Sequence, residues 1–495
     1  MSNNIVRSFT EDYDNDLWIA TDYGLNKLSL SNYTITRHIH NPSDEKSMGG
    51  NSINALHMTN DNVLWLGLFS KGLNKHIVDA NRFQHIKHNP ADPTSISANN
   101  IWAINVYGNS VWLGTDGGGL NQYDMDQQVS TRYLHDPLDD NSIVENRVWA
   151  LLQTSEEELW IGSYGKGLSK MNPLTGRFTH YTYDEFDNSS VIGESVVKIF
   201  QDRAKRIWIG TNNGLSRYDR TTDSFIRYGI SHLPNFPQAY ILNITEDTNG
   251  DIWLSSYDEG VIRLNPNTGE YVEYRHNKDD PNSIANNKIM HILVDSSGLY
   301  WVSTYGNGIS ILDLNNDTTT HLTTRDGLAN DSVYAVIEDQ KGEFWISTNN
   351  GISQYNPLTK QFTNYGLSSG IQSTEFNSGA YFKDKSGRIF FGGVNGFNFF
   401  HPSQIEVENV DLAINFTELR VFNKVAGIKN NSLPTSDKFT LDKAIDDSES
   451  ITFGHQESLI SFEFSTLNYA YEKEIYFQYK LVGFDDEWIT TDYQQ

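Results

Sequence analysis

A short hydrophobic phrase recurs along the chain at nearly regular intervals. It consists of an apolar residue, Trp, a second apolar residue, a small pair, a polar turn, then Gly and an apolar residue, as in LWIGSYGKGL from Leu159. The aromatic positions of its nine copies are spaced 44 to 48 residues apart and are Trp18, Trp65, Trp112, Trp160, Trp208, Trp253, Trp301, Trp345 and Phe390. A period of this length indicates a repeat architecture in which each unit packs against the next.

Each repeat predicts four short β-strands. In the fourth copy, NRVWALLQT alternates between apolar and polar residues, ELWIGSY follows, a turn at Gly165 and Gly167 leads into LSKMNP, and GRFTHYTY comes last. No stretch of ten residues carries a helical apolar period. Four strands in about 45 residues are typical of a β-propeller blade. We therefore expect the recurring Trp residues to pack between blades and the turn glycines to take positive φ at hairpins.

The ninth repeat lacks its fourth strand. After GFNFFHP from Gly396 the chain continues into SQIEVENVDLA, without a segment like GRFTHY. A propeller must close, and counting seven blades back makes RFQHIKH from Arg82 the donor of the missing strand. We predict the last two blades of a truncated upstream propeller in 1–81 and a seven-bladed propeller in 82–402, closed by strand 82–88. A single nine-bladed ring is the alternative.

The carboxy-terminal region, 403–495, has strand-like stretches without the repeated phrase. DLAINFTELRVF, SITFGH and LISFEFSTL are separated by turn signals at Asn430-Asn431 and Asp446-Asp447. This pattern favours a separate Ig-like β-sandwich, cut off at its carboxy-terminal end. The predicted fold class is therefore all-β throughout.

Composition and charge exclude several function classes. The chain has 63 Asp and Glu against 37 Lys and Arg, a formal net charge of −26, so nucleic-acid binding is not expected. Cysteine is absent, which removes disulfides, thiolate catalysis and zinc-thiolate sites. Neither a signal peptide nor an apolar run of membrane-spanning length occurs, so we expect this segment neither to export nor to anchor itself.

The titratable residues follow the repeat. His40, His88, His135 and His276 each precede the same kind of linker, and Asp12, Asp202, Asp247, Asp295, Asp339 and Asp384 stand at turns. We interpret the histidines as blade-linker residues rather than metal ligands, and the aspartates as turn formers. No GxSxG, HExxH, EF-hand or paired-carboxylate motif appears. The sequence predicts no catalytic site, no metal and no cofactor.

Candidate binding residues lie where the first strand of each blade begins, because these positions vary while the framework repeats. They are Asn100, Trp102, Arg147, Trp149, Lys288, Tyr334, Glu375 and Asn377. If the chain binds a glycan, we expect the site on the central face of the ring. The alternative for Trp102 and Trp149 is packing between blades. Tyr164, Tyr257 and Tyr305 at hairpin turns form a second candidate set.

The repeats resemble a known family. LWIGT-x-x-GL phrases with NPLTGRFTHY-type tails resemble two-component-regulator propeller repeats, and the segment from Ile451 to Trp488 resembles the Tyr-Tyr-Tyr β-sandwich domain that follows them. The resemblance implies a non-catalytic, periplasmic ligand-sensing region of a hybrid histidine kinase that responds to a poly- or oligosaccharide. It also implies a membrane helix and an output domain in the intact protein and a homodimer through the sandwich. The alternatives are the sensor of a membrane diguanylate cyclase, an extracellular propeller enzyme or lectin acting on polysaccharide, and a protein-interaction scaffold.

Overall fold

The computed structural model describes residues 1–12, 15–42, 47–59, 63–78, 83–405, 414–429, 439–466, 477–485 and 487–491. The chain divides into two compact units, 81–406 and 1–80 with 407–495. Predicted features at Arg82, at Asn430-Asn431 and in 467–476 and 486 of the Tyr-Tyr-Tyr segment lie outside the described residues. None of the helices in the described ranges is long and apolar enough to span a membrane.

The amino-terminal part of the chain forms two antiparallel sheets. The first comprises β1 (Val6–Glu11), β2 (Leu17–Thr21), β3 (Gly24–Leu28) and β4 (Ile35–His38), and the second comprises β5 (Ile53–Met58), β6 (Val63–Leu68) and β7 (Gly72–Ile77). Trp18, Ala20 and Leu25 of the first sheet pack against Ile53, Leu64 and Leu66 of the second. The repeated phrase therefore buries its tryptophan against the next sheet.

The unit at 81–406 contains seven four-stranded sheets among its described residues, which we name blades I to VII. Blade I comprises β9 (Ile101–Tyr107), β10 (Ser110–Thr115), β11 (Leu120–Asp124) and β12 (Val129–Tyr133). Blade II comprises β13 (Val148–Gln153), β14 (Leu159–Ser163), β15 (Leu168–Asn172) and β16 (Arg177–Tyr181). Blade III comprises β17 (Val196–Gln201), β18 (Ile207–Thr211), β19 (Gly214–Asp219) and β20 (Ser224–Arg227). Blade IV comprises β21 (Ile241–Glu246), β22 (Ile252–Ser256), β23 (Val261–Leu264) and β24 (Tyr271–Tyr274). Blade V comprises β25 (Ile289–Val294), β26 (Tyr300–Thr304), β27 (Ile309–Asp313) and β28 (Thr318–Leu322).

Blade VI comprises β29 (Val333–Glu338), β30 (Phe344–Thr348), β31 (Gly351–Asn356) and β32 (Gln361–Tyr365). Blade VII comprises β33 (Phe376–Lys383), β34 (Ile389–Gly393) and β35 (Gly396–Phe400), together with β8 (Gln84–Ile86). The described residues also form short 3-10 helices at Thr324–Asp326, Leu367–Ser369 and Pro402–Gln404. The first strand of each blade contacts the first strand of the next, and β33 of blade VII contacts β9 of blade I. The ring therefore closes after seven blades, and the predicted all-β propeller class is confirmed.

Blade VII is completed by a strand from the other end of the ring. β8 pairs antiparallel with β35, with Phe397 opposite Ile86. Phe83, just before β8, is buried against Phe400 and Tyr365 at ring-centre distances of 4.7 and 5.2 Å. Gly396 has a φ of +94°, and a Cβ there would stand 2.1 Å from the carbonyl oxygen of Ile86. Only glycine allows β8 to approach this closely.

The recurring tryptophans are held by the aspartates that precede them by six residues. In five repeats the indole Nε1 donates to an Asp Oδ2 at 2.9 to 3.1 Å; the pairs are Trp18 with Asp12, Trp208 with Asp202, Trp253 with Asp247, Trp301 with Asp295, and Trp345 with Asp339. The other carboxylate oxygen accepts backbone N–H groups of the intervening turn, as Asp247 Oδ1 does from Asn249 and Asp251. The aspartates are thus turn formers that also orient the core indoles.

The linker histidines have a structural role. The ring Nδ1 of His40, His88, His135 and His276 hydrogen-bonds with a backbone carbonyl oxygen eight residues later, at 2.5 to 2.8 Å. The backbone N–H of each also donates to an Asn side chain eleven residues later. Among the described residues, no group of three His, Cys, Asp or Glu side chains has the arrangement of a metal site.

The carboxy-terminal region is built from small sheets. Its described strands are β36 (Asn415–Val421), β37 (Lys424–Val425), β38 (Gly427–Ile428), β39 (Thr440–Leu441), β40 (Ile460–Ser465), β41 (Phe477–Tyr479) and β42 (Ile489–Thr491). β36 lies between β37 and β40, β38 pairs with β39, and β41 pairs with β42. Leu419, Ala426 and Leu441 form its small buried core.

Candidate functional site

The predicted binding residues lie at one face of the ring, where the first strand of each blade begins; we call this the start face. In blades I to VI the pairing of the first and second strands shifts after the first residue, as from Val148–Ser163 to Ala150–Gly162 in blade II. Such a β-bulge re-aims the extra residue. The residues at this bulge are Trp102, Trp149, Val197, Leu242, Met290 and Tyr334.

Trp102 and Trp149 stack on each other across blades I and II. Their ring centres are 4.2 Å apart with an angle of 6° between the planes, and Tyr164 covers the other side of Trp149 at 4.1 Å. Both indole Nε1 atoms are buried and have no hydrogen-bond partner among the described residues. Trp149 is therefore a packing residue, because Trp102 covers one face of its ring and Tyr164 covers the other. The outer faces of this three-ring stack belong to Trp102 and Tyr164.

Arg147 and Tyr164 extend the stack on blade II. The Arg147 guanidinium lies 4.9 Å from the centre of the Tyr164 ring, and the Arg147 side chain is 44% exposed. Burial raises the pKa of Tyr240, at the start of blade IV, to about 12, and an electrostatic interaction with Tyr164 makes a smaller contribution to this rise. This part of the start face presents a cation over an aromatic surface.

Blades IV to VI carry the rest of the predicted residues with large side chains. Lys288 Nζ lies 5.1 Å from the centre of the Tyr257 ring. The Tyr334 hydroxyl donates to Asn349 Oδ1 at 3.2 Å. Burial raises the pKa of Tyr334, with smaller contributions from Tyr305 and Glu375, so these three side chains are electrostatic neighbours.

A polar cleft of about 300 Å³ lies beside the Tyr305 hairpin. Its walls include Gly306, Asn307, His321, Thr324, Arg325 and Asp331. Tyr305 itself is 47% exposed. The sequence did not point to this cleft, because its walls come from the hairpin of blade V and the linker to blade VI.

Blade VII departs from the pattern of the other blades. Between the pairs Phe376–Gly393 and Tyr381–Phe391, four residues of β33 face one residue of β34, which makes three extra residues, whereas blade II has one extra residue, Trp149. Asn377 Nδ2 donates to Asn100 Oδ1 at 2.9 Å and to the Ile101 carbonyl oxygen at 2.7 Å, so these predicted residues bind each other. A Cβ at Gly379 would stand 2.6 Å from the Trp102 carbonyl oxygen. The bulge therefore brings β33 against blade I.

The same bulge sends Tyr381 across the ring axis, which sequence reasoning missed. The Tyr381 hydroxyl oxygen accepts from Lys198 Nζ of blade III at 2.9 Å and from Asn243 Nδ2 of blade IV at 2.7 Å. His291 of blade V packs edge-on against the Tyr381 ring at 4.7 Å. Burial, with a smaller contribution from Lys198, lowers the pKa of His291 to about 3. We call these four residues the axial cluster.

The described geometry defines a closed propeller with a partly aromatic, partly polar start face. The two-component regulator propeller family matches residues 1–23, 190–213 and 327–350, which confirms the resemblance of the repeats at these segments. Over 98% of its length the chain is similar, at 25% identity and a TM-score of 0.75, to the extracellular domain of the putative hybrid two component system BT3049 from B. thetaiotaomicron. The chain spans 62% of that structure.

Two further comparisons found similar proteins. The extracellular domain of the putative one component system BT4673 from B. thetaiotaomicron has the same fold, with a TM-score of 0.53 at 21% identity, covering 98% of this chain and 64% of that one. A curated relative, "Histidine kinase P4" from Formosa agariphila, is 28% identical over 145 residues, which are 29% of this chain and 10% of the relative. The chain thus spans a small part of that kinase's length.

Proposed function

We propose that this chain is the non-catalytic, periplasmic ligand-sensing region of a two-component signalling protein. The similarity over nearly the whole chain to the extracellular domain of a hybrid two component system supports this proposal. The intact protein carries an output domain beyond a membrane helix, either a histidine kinase or a diguanylate cyclase, and dimerises through the carboxy-terminal module. A ligand drives signalling only if it binds two arrangements of the protein unequally.

The ligand that we propose is a poly- or oligosaccharide bound at the start face. The observation that carries this assignment is the row of aromatic side chains on blades II, IV, V and VI, interleaved with Arg147, Lys288 and Glu375. Sugar rings stack on aromatic faces while their hydroxyl groups bond with nearby polar side chains. Tyr305, exposed beside the polar cleft of Asn307, Arg325 and Asp331, is the side chain best placed for this contact.

A glycan panel tests this proposal by thermal shift and calorimetry. We expect one glycan to raise the Tm of the wild type, and Tyr305→Ala to weaken its binding about tenfold or more, by loss of stacking. Tyr23→Ala is the control, because Tyr23 is also an exposed turn tyrosine, at 53%, but lies in the first amino-terminal sheet. Equal binding by both variants would contradict the start-face site.

The same panel separates the proposal from its alternatives. New reducing ends or unsaturated sugar products after incubation would identify an enzyme and end the sensor-only interpretation. No response to any glycan, together with capture of a defined protein partner, would favour an interaction scaffold. Fusion of the chain to a kinase output and measurement of phosphorylation with and without the glycan would test signalling itself.

A further inference from the structure

The axial cluster has more hydrogen-bond donors than acceptors. Lys198 carries three N–H groups, of which one reaches the Tyr381 hydroxyl oxygen. That oxygen already accepts from both Lys198 and Asn243, so the hydroxyl hydrogen of Tyr381 must be donated to a further partner. His291 Nδ1 accepts from the backbone N–H of Val336 at 3.3 Å, which leaves its Nε2 as a donor.

The acceptors of the cluster are used within the protein. Asn243 Oδ1 accepts from the backbone N–H of Ile292 at 3.3 Å, and His291 Nδ1 is occupied by Val336. Asn243 and His291 are buried, at 3% and 4% exposure. Lys198 and Tyr381 are half-buried, so the cluster is reached from solvent along the side that these two residues occupy.

Lys198 also lacks a compensating negative charge. Among the described residues, no carboxylate lies within ion-pair distance of its ammonium group. Lys170 offers a direct comparison, because it donates to the Tyr218 hydroxyl at 3.3 Å and lies over aromatic rings, as Lys198 does over Tyr381. Lys170, however, has Asp223 at 3.8 Å. A half-buried ammonium without such a partner favours a negative ligand.

The positions equivalent to Lys198 differ in polarity from blade to blade. In each blade, the residue of the first strand that follows the bulge lies opposite an equivalent position of the second strand. From blade I to blade VII these residues are Ala103, Ala150, Lys198, Asn243, His291, Ala335 and Ala380. Blades III to V therefore supply polar side chains, and the other four supply only methyl groups.

We propose that the axial cluster binds a small monovalent anion of halide size, held by the Lys198 ammonium and by the free donors of His291 and Tyr381. The anion completes the hydrogen bonds that the protein leaves open and neutralises the charge at the axis. It joins blades III, V and VII through one ligand. This site is independent of the glycan site at the start face.

Thermal unfolding in matched salts tests the proposal. In about 0.2 M sodium bromide we expect the Tm to exceed that in sodium gluconate of equal ionic strength by about 3 °C, because gluconate is too large to enter. Lys198→Met should lose this difference, and the control Lys170→Met should keep it. Equal Tm values for the wild type in the two salts, or an undiminished bromide effect in Lys198→Met, would overturn the proposal.

A second measurement on the wild-type chain avoids any dependence on the folding of a variant. Crystals grown or soaked in bromide should show an anomalous peak within about 3.5 Å of Lys198 Nζ, the range of an N–H donor to a large anion. A data set with ordered bromide elsewhere and none at the axial cluster would overturn the assignment. A peak that appears at Lys198 but vanishes in Lys198→Met crystals would establish the ligand.

Discussion

The outer framework of each blade and the first strands at the ring axis differ in how strictly they repeat. The framework uses the same buried indole in nearly every blade, bonded in five repeats to an aspartate six residues earlier. The axial positions change from Ala to Lys, Asn and His between neighbouring blades. The comparison shows that the repeated core residues supply a rigid support. Recognition is then built from the few positions whose residues differ from blade to blade.

The largest difference should appear when a framework indole is removed. Trp208 is fully buried, so Trp208→Ala creates a cavity and should lower the free energy of unfolding by about 4 kcal/mol. Urea unfolding followed by circular dichroism measures this change. Trp102→Ala, at the half-buried start face, is the comparison variant and should cost less. Equal losses would remove the distinction between the framework and the start face.

Removal of a framework aspartate should have the next largest effect. Asp247 accepts from the Trp253 indole at 3.0 Å and from two backbone N–H groups of its turn. Asp247→Ala leaves these buried donors unsatisfied and should destabilise by about 3 kcal/mol, measured by urea unfolding. Asp258→Ala is a suitable control, because Asp258 lies in the hairpin turn of the same blade. A loss below that of the control would contradict the assigned role.

The axial cluster should make the stability of the protein depend on pH through His291. The folded pKa of His291 is about 3 against an ordinary value of 6.5, so the unfolded chain takes up a proton first as the pH falls. Its contribution to stability is present above pH 6.5 and is lost on acidification, by roughly 2 to 3 kcal/mol at pH 4.5.

The variant His291→Asn tests this dependence. Its side-chain oxygen can replace Nδ1 as acceptor for Val336, and it does not titrate in this range. Unfolding free energies measured from pH 7 to 4.5 should therefore fall less steeply in the variant than in the wild type. Parallel curves would show that His291 titrates normally in the folded protein.

The smallest effect should come from a conservative change in the start-face stack. The Trp149 indole N–H has no partner among the described residues, so Trp149→Phe should change the free energy of unfolding by only about 0.5 kcal/mol. Trp208→Phe is the matched control and should cost about 1.5 kcal/mol, because Asp202 loses a bonded donor. A larger loss at Trp149 would indicate a bound acceptor such as ordered water.

The sequence predicted the framework well because the framework is local. The spacing of the indoles predicted the four-stranded blades, and the turn glycines have positive φ, as Gly167 does at +80°. The indole–aspartate bond was also accessible, since Asp precedes Trp by six residues in repeat after repeat. The missing fourth strand of the last repeat was visible as an absence in the same pattern.

The axial cluster could not be predicted in this way. Lys198, Asn243, His291 and Tyr381 come from four blades, and only the extra residues of β33 bring Tyr381 to the others. The candidate binding residues could be chosen where the first strands begin, because variation within a repeat is readable from sequence. Their stacking order, with Trp149 covered on both sides, depends on distances between blades that no spacing along the chain encodes.

The borrowed strand of blade VII has a consequence for folding. His85 hydrogen-bonds with the carbonyl oxygen of Asn395, which is 310 residues away in the chain. The propeller therefore cannot close until almost all of its chain has been synthesised. Both chain segments that join the ring to the rest of the protein also meet in this one sheet. In that sheet β35 lies two strands and β8 three strands from β33, the strand that carries Tyr381 to the ring axis.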